Sequence, residues 1–351
     1  MTRQELYARR QRKKKAAGRK KIIMAGISLL LILAVVLVVK AGIAAGRRDA
    51  AEEPAPTALP EEVREAGDTA SLLSVETETG NTGWNMDGGR WWYKTADNAR
   101  YVNGWKTIDG DRYYFDEEGY TLTGWHILDD GSYCCFSDSG IYKPDEPVKY
   151  VALTFDDGPS RETAGVLDVL EANKVKATFF VVCKMAAQDE ETKNNLIRAY
   201  NLGMELGSHT WDHTTLVHQP AEVISSVMQQ NDAYLQQLFG YTPALMRPTG
   251  GGIDDTVSAT VGKPMILWNV DTLDWDTRDP AQTIAAATTN IKDGSIILMH
   301  DIYSETVEAV QTIVPTLLSE GYMPVTVSEL AAIKGVTMQP GVAYGSFTAE
   351  S

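Results

Sequence analysis

The chain has 351 residues, 44% hydrophobic and 23% charged, as in ordinary globular proteins, so wholesale disorder and fibrous repeats are excluded. This length is typical of two or three domains. Three cysteines are too few for a disulfide framework or a cysteine-rich zinc site. The first 21 residues hold ten basic side chains and one acidic side chain, whereas the whole chain has a net charge of −15. The acidic remainder argues against nucleic acid as a partner, because binding phosphates requires a basic surface.

An uncharged apolar run follows the basic tail at residues 22–39. As an α-helix, eighteen residues extend about 27 Å, just enough to cross the hydrocarbon core of a membrane. We therefore predict a cytoplasmic tail at 1–21 and a transmembrane anchor at 22–45, so that the protein is a single-pass cell-membrane protein with its later domains outside the cell. A cleaved signal peptide is the alternative, which the long apolar run disfavours. Residues 46–80, rich in Glu, Ala, Pro and Thr, predict a solvated linker.

An aromatic repeat of about 20 residues occupies residues 81–143. Gly-Trp pairs begin at positions 83, 104 and 124, and each is followed by a glycine and then by a triplet that is aromatic in the first two repeats. This pattern predicts one β-hairpin per repeat. Trp92, Trp105 and Tyr114 are spaced to contribute to cages between the hairpins. Cys134 and Cys135 stand where the earlier repeats have aromatic residues, which indicates a degenerate last repeat.

Short apolar runs alternate with amphipathic helical segments from residue 149 onward. The predicted strands are 150–155, 177–182, 204–206, 244–246, 265–270, 295–299 and 323–325. The predicted helices are 162–172, 190–201, 221–239, 256–261, 281–291 and 306–320. This alternation predicts a parallel α/β domain at 149–336, either a barrel or an open doubly wound sheet, followed by a tail at 337–351. No Gly-x-Gly-x-x-Gly follows the first strand, which disfavours a dinucleotide site.

Titratable side chains follow five of the predicted strands. In chain order they are Asp156 and Asp157, His209 and His213, Arg247, Asp274, and His300. Each has a plain structural explanation when taken alone, such as turn formation by an Asp pair before Gly-Pro. The carboxyl ends of parallel strands converge on one face, however, and that face hosts the active sites of such folds. Taken together, the pattern favours a functional site.

The residue types in this pattern indicate hydrolytic chemistry. One carboxylate and two imidazoles can form a three-ligand metal site of the zinc type, with an open position for water. The remaining carboxylate can accept a proton, and His300 can donate one to a leaving group. No Gly-x-Ser-x-Gly or His-Glu-x-x-His motif occurs, which disfavours a serine hydrolase and a zincin protease. The pattern therefore predicts metal-assisted hydrolysis of an acyl or related bond.

Five segments resemble, in order, the motifs of the NodB-type polysaccharide deacetylases. They are TFDDGP at 154–159, HTWDH at 209–213, RP at 247–248, DTLDW at 271–275 and ILMH at 297–300. The resemblance covers residues 149–334. It implies a distorted seven-stranded (β/α) barrel that hydrolyses N-acetyl or O-acetyl groups of a polysaccharide.

The resemblance also implies roles for individual residues. Asp156 would be the catalytic base, and Asp157, His209 and His213 would bind a divalent metal. Zinc is the predicted metal, with cobalt, nickel or manganese as alternatives. The remaining roles follow in the same way: Arg247 would hold the base, His300 would be the acid, and Asp274 would orient His300.

Two further features bear on the ligands. The family usually has a tyrosine where this chain has Gly250; the backbone N–H there can still serve an oxyanion hole, but one wall of the groove is missing. The aromatic repeats resemble the choline-binding and glucan-binding repeats of cell-wall proteins, which implies choline, teichoic acid or glucan as a ligand. The structural alternative is that the rings merely hold small hairpins together.

We therefore predict a membrane-anchored, extracytoplasmic, metal-dependent polysaccharide deacetylase with a wall-binding module. As an enzyme it would be a hydrolase of carbon–nitrogen bonds other than peptide bonds, and N-acetylglucosamine of peptidoglycan is the predicted substrate. One alternative is a deacetylase of a chitin-like or O-acetylated glycan. The other is a catalytically dead wall-binding scaffold.

Overall fold

A computed structural model of the protein describes residues 71–74 and 82–348. The predicted cytoplasmic tail and the predicted anchor at 22–45 lie outside these residues, as does most of the predicted linker. The described residues form an N-terminal repeat module and an α/β domain that follows it.

The predicted localisation as a single-pass membrane protein is wrong. Among the described residues, no helix is both long and apolar enough to cross a membrane. The physical reason is the amphipathic character of these helices. The longest, Ala221–Phe239, carries Glu222 and Asp232, and only one of its sides is buried against the core.

The repeat module consists of antiparallel strands. They are β1 (Ser71–Ser74), β2 (Gly83–Asp87), β3 (Arg90–Lys94), β4 (Ala99–Val102), β5 (Gly104–Ile108), β6 (Asp111–Phe115), β7 (Gly124–Ile127) and β8 (Tyr133–Phe136). The pairs β2–β3, β5–β6 and β7–β8 are hairpins, which confirms the prediction of one hairpin per repeat. Strand β1 pairs with β4, although the sequence predicts a solvated linker at its position.

Aromatic rings from successive repeats form the small cores of this module. Phe115 is fully buried and lies 6.3 Å from Trp84 of the preceding hairpin, measured between ring centroids. Phe136 is likewise buried and lies 5.7 Å from Trp105 of the hairpin before it. Cys134 is a buried, free thiol beside Phe136, where it acts as a small apolar residue. The rings therefore join each hairpin to the next.

The α/β domain contains strands β9 (Lys149–Asp156), β10 (Thr178–Val181), β11 (Glu205–Ser208), β12 (Met265–Ile266), β13 (Val270–Asp271), β14 (Ile296–His300), β15 (Tyr322–Val325) and β16 (Ala343–Tyr344). Its helices are α1 (Thr163–Ala172), α2 (Cys183–Gln188), α3 (Glu190–Asn201), α4 (Ala221–Phe239), α5 (Asp255–Thr260), α6 (Asp274–Thr277), α7 (Pro280–Thr288), α8 (Ser304–Ser319) and α9 (Val327–Ile333).

A curved parallel sheet with the order β11-β10-β9-β14-β13 forms the centre of this domain. Strand β15 pairs with the first half of β9, and β16 pairs with β12. Single bridges on either side of Met246 connect β11 to β12. The helices lie outside the sheet, with α1 and α8 covering the buried strands β9 and β14. The prediction of an α/β barrel-like domain is confirmed.

The sheet departs from the predicted strands at two places. The strand predicted at 244–246 is reduced to the bridging residue Met246, and the strand predicted at 265–270 is divided into β12 and β13. The carbonyl groups of Ile266 and Leu267 accept hydrogen bonds from the guanidinium of Arg247, at 2.9 and 3.0 Å. The strand is therefore interrupted where its backbone binds a buried side chain.

The C-terminal tail and the third hairpin both pack against the α/β domain. Phe347, within the predicted tail, is buried, and its N–H donates to the carbonyl of Gly294 at 2.8 Å. The Tyr133 hydroxyl donates to the carbonyl of Leu318 at the end of α8, and the ring of Trp125 lies against Gly321. The domain thus extends beyond residue 336, and the last repeat is in contact with it.

Candidate active site

A buried ion pair stands at the end of the first domain strand. Asp156 ends β9 and is 4% exposed, while Arg247 is fully buried. Arg247 Nη1 donates to Asp156 Oδ1 at 2.7 Å and to Thr154 Oγ1 at 2.8 Å. With the two carbonyls of the interrupted strand, these acceptors satisfy the guanidinium inside the protein, as a buried charge requires. Burial nevertheless lowers the pKa of Arg247, opposed by the charge of Asp156.

Asp157, His209 and His213, here called the metal-site trio, converge beside this pair. Asp157 Oδ1 lies 3.3 Å from Nε2 of His209 and 3.0 Å from Nε2 of His213. Their spacing of four residues suggests that the two histidines meet on one face of a helical turn, but in the structure they do not lie on a helix. They are brought together by a turn in which Thr210 and His213 both have positive φ, at 66° and 63°.

The trio fits a metal ion by its donor chemistry. The Nδ1 atom of His209 lies 2.7 Å from the carbonyl oxygen of Arg247, which can only accept; Nδ1 must therefore carry the proton, leaving the Nε2 lone pair free to ligate. Asp157 Oδ1 is buried without a hydrogen-bond partner although it faces both rings. Ligands bound at about 2.0–2.2 Å to a tetrahedral metal lie about 3.3–3.6 Å from one another, similar to the spacing here.

The electrostatic balance also keeps Asp157 ready to bind a cation. Burial works against ionisation of this carboxyl, but the neighbouring rings of His209 and His213 outweigh it and hold the pKa of Asp157 below its ordinary value. Among the described residues, the trio is the group of three potential metal ligands whose ligand atoms all lie within 4.8 Å of one another.

A second polar pair faces the trio across the site. His300 ends β14, and its Nδ1 lies 2.8 Å from Oδ1 of Asp274 at the start of α6. Asp274 is 2% exposed and also accepts from the His300 backbone N–H and from the hydroxyl of Thr306. Burial alone would lower the pKa of His300, but the hydrogen bond and charge of Asp274 raise it above its usual value. The imidazole is thus oriented and stabilised in its protonated form.

A single cavity of about 450 Å³ contains most of these groups. It is lined by Asp156, Asp157, His209, His213, Gly250, Trp268, Asp271, Trp275, Leu298, His300 and Tyr303. Gly250 has φ of 63°, and no atom lies within 4 Å of where its Cβ would stand, so this side of the cavity is open. Arg247 and Asp274 lie behind the residues that they contact rather than in the cavity wall.

The structure brings all seven predicted site residues together. Among the residues that the sequence did not single out, Trp268 and Tyr303 line the cavity. Asp301 was also missed: it is buried, accepts from Thr163 Oγ1 at 2.5 Å, and packs so closely on Gly158 that any side chain there would collide with it. Burial raises the pKa of Asp301 to about 7. Its position directly after His300 was the available signal.

Comparison with known proteins agrees with this geometry. The family model described as polysaccharide deacetylase matches residues 143–264, and the choline-binding repeat model matches residues 102–141. A peptidoglycan-N-acetylglucosamine deacetylase of Listeria monocytogenes is 39% identical over 212 residues, which are 59% of this chain and 44% of that protein. The chain therefore spans less than half the length of this relative.

Two shorter relatives are covered almost completely. A peptidoglycan-N-acetylglucosamine deacetylase of Bacillus cereus is 33% identical over 195 residues, which are 53% of this chain and 90% of that protein. The structure of a family 4 acetyl xylan esterase from Clostridium thermocellum, in complex with a cobalt ion, is 36% identical and has a TM-score of 0.53. It aligns over 56% of this chain and 98% of its own. This chain belongs to the polysaccharide deacetylase family.

Proposed function

We propose that this chain is a metal-dependent deacetylase that hydrolyses the N-acetyl group of glucosamine residues in peptidoglycan. The observation that carries the proposal is the convergence of the metal-site trio, the Asp156–Arg247 pair and the His300–Asp274 pair at one cavity. Support for the substrate comes from the relatives named above and from the match of the preceding module to a cell-wall repeat. The proposed metal is zinc, with cobalt, nickel or manganese as alternatives.

The chain's own residues supply the proton transfers of the proposed reaction. When bound, a divalent metal polarises the acetyl carbonyl and makes a water molecule more acidic. Asp156 accepts a proton from the attacking water as the water oxygen bonds to the carbonyl carbon. Arg247 orients that carboxylate through the hydrogen bond from Nη1 to Asp156 Oδ1.

Release of the amine requires that a proton reach the nitrogen of the carbon–nitrogen bond. The carbon–nitrogen bond breaks as His300 delivers its proton to the sugar nitrogen, giving acetate and a free amine. Asp274 holds the ring so that Nε2 faces the cavity and maintains the charge on the imidazole. A dead scaffold is disfavoured because each of the two buried pairs has one member in the cavity wall, Asp156 and His300, and carries a cost of desolvated charge that wall binding does not require.

Acetate and free amine measured together test the proposal. The protein, loaded with zinc, is incubated separately with purified peptidoglycan, chitin oligosaccharides and acetylated xylan. Peptidoglycan should release acetate with an equal number of new amino groups. Acetate without amine would indicate an O-acetyl esterase, faster release from chitin oligosaccharides would indicate the chitin-like alternative, and no acetate from any substrate would indicate a scaffold.

A further inference from the structure

An aromatic cage stands between the second hairpin and the repeat that follows it. Trp105 on β5 is directly opposite Tyr114 on β6, with their rings perpendicular and their centroids 5.4 Å apart. Tyr142 and Phe136 of the next repeat approach the same indole to 4.9 and 5.7 Å. The sequence predicted inter-hairpin cages from Trp92, Trp105 and Tyr114. Trp105 and Tyr114 share this cage, whereas Trp92 lies under the guanidinium of Arg100, 4.3 Å from its ring centroid.

The face of this cage is covered by a cation of the same chain. The guanidinium carbon of Arg112 lies 4.3 Å above the centroid of Trp105 and 5.7 Å from that of Tyr142. Arg112 is paired with Thr107, two residues along from Trp105, so its side chain reaches over the indole on the same face of the hairpin. Its carbonyl accepts from the N–H of Tyr142 at 2.8 Å, which fixes its backbone to the neighbouring repeat.

Among the described residues, Arg112 has no acidic partner. Within 82–348, no carboxylate lies within ion-pair distance of it, whereas Arg90 is paired with Asp116 and Glu118. Arg112 is exposed to solvent, so its position over the ring follows from the cation–π contact and the packing of its stem.

The other hairpin tryptophans are covered as well. In the first hairpin the position that corresponds to Arg112 by register is Trp91, whose ring meets Trp84 edge-on at 6.5 Å. In the third hairpin it is Tyr133, which stacks on Trp125 at 4.8 Å. Only the second hairpin has a cation at this position.

We propose that Arg112 is the resident cation of the Trp105 cage and that it closes this cage to choline and other quaternary ammonium ligands. A quaternary ammonium binds over aromatic faces within about 6 Å of their centroids, which is the space that the guanidinium fills. Because Arg112 is tethered, it competes for the aromatic faces at an effective concentration of the order of millimolar. A weak soluble ligand below that concentration does not displace it. The inference concerns the repeat module alone and is independent of the proposed deacetylase activity.

Choline binding by the full-length chain tests this proposal. Equilibrium dialysis with radiolabelled choline is applied to the wild type, Arg112→Ala, Arg112→Gln and Arg112→Lys. Removing the charge in the Ala and Gln variants should create a saturable site that binds choline at least about tenfold more tightly than the wild type, while Lys keeps the cage closed. In the double variant Arg112→Ala/Trp105→Ala, the gained site should disappear.

Two results would overturn the proposal. The first is choline binding by the wild type as tight as that of Arg112→Ala, since the arginine would then not close the cage. The second is a lack of choline binding by both Arg112→Ala and Arg112→Gln when near-ultraviolet circular dichroism shows native aromatic packing. Should the Ala variant fail to fold, the Gln variant retains the aliphatic stem over the ring and decides the question together with the wild type.

Discussion

The α/β domain and the repeat module each place an arginine over an aromatic ring at the same distance. Arg247 lies 4.3 Å above Phe180, and Arg112 lies 4.3 Å above Trp105. Arg247 is fully buried and donates to Asp156, a hydroxyl and two carbonyls, whereas Arg112 is exposed and without an ion pair in the described chain.

The difference shows how burial changes the role of one contact. Inside the domain, the ring of Phe180 packs on a guanidinium whose hydrogen-bond acceptors are all fixed, so the arginine can orient the carboxylate of Asp156. At the surface, the ring itself is the main partner, so the arginine acts as a cover that an external cation could otherwise replace.

The largest expected difference between the two arginines appears when both are replaced by the same neutral residue, methionine. Arg247→Met leaves Asp156 buried without its partner, so the free energy of unfolding should fall by about 3–5 kcal/mol and acetate release should be lost. Arg112→Met should lower the free energy of unfolding by no more than about 1 kcal/mol and keep acetate release. Urea titrations and acetate assays of both variants measure the contrast; equal losses would show that burial does not separate the two roles.

Removing the proposed base tests the buried pair from its other side. Asp156→Asn keeps the shape and the hydrogen bond to Arg247 but cannot accept a proton, so the rate of acetate release should fall about 10²–10⁴-fold. Bound metal, measured by atomic absorption, should be retained because Asp156 is outside the metal-site trio. Asp271→Asn, a carboxylate in the same cavity wall, is the control and should keep most of the activity.

The proposed role of His300 as the acid can be tested by the pH dependence of the rate. Asp274 raises the pKa of His300 against the effect of burial, and the rate requires His300 to be protonated. Activity should therefore fall as the pH rises through the pKa of His300. Asp274→Asn removes the raising contribution, so this alkaline fall should move to lower pH. Thr306→Val removes a hydrogen bond to Asp274 without changing its charge and should give a smaller displacement; an unchanged profile in Asp274→Asn would refute the pairing.

The smallest expected effect concerns the contact between the two regions. Tyr133→Phe removes the part-buried hydrogen bond to the Leu318 carbonyl, which should lower the free energy of unfolding by about 0.5–1.5 kcal/mol. Tyr120→Phe, which removes an exposed hydrogen bond to Asp87, is the matched control and should have less effect. Identical stabilities of all three proteins would mean that the third hairpin does not support the domain.

Local sequence signals predicted six of the nine helices in the described part of the α/β domain, and α2, α6 and α9 were not predicted. The bounds of α3 and α4 equal those predicted, 190–201 and 221–239. The side chain of Asp189 accepts from the N–H of Thr192 at the start of α3, and Gly240 ends α4 with φ of 65°. Apolar periodicity and terminal residues specify such elements without reference to the rest of the chain.

The residues of the site could be predicted from the sequence, but the contacts that position them could not. Strand ends converge in any parallel α/β fold, so residues after strands could be grouped from the sequence. The interruption between β12 and β13 depends on Arg247, nineteen residues before Ile266, and no local pattern shows that contact. Trp268 lies in that interrupted strand, which is why it reads as core rather than as cavity wall.

The repeat module was predictable as hairpins but not in what covers its rings. The 20-residue period specified the hairpins, and positive φ at Asp109 and Gly110, as in two-residue type I′ turns, explains the tight connection of the second. The position of Arg112 over Trp105 depends on strand register, and the docking of Tyr133 depends on α8. Both contacts require the folded structure.

Metal titration tests the central claim most directly, namely that acetate release depends on a divalent ion held by the metal-site trio. Full-length protein is stripped with a chelator and titrated with zinc while acetate release from peptidoglycan and bound metal are both measured. We predict that activity is absent in the stripped protein, rises with metal and reaches its plateau at one ion per chain, and that His213→Ala neither binds this ion nor regains activity. Full activity of the stripped protein, or an active His213→Ala variant without bound metal, would contradict the account.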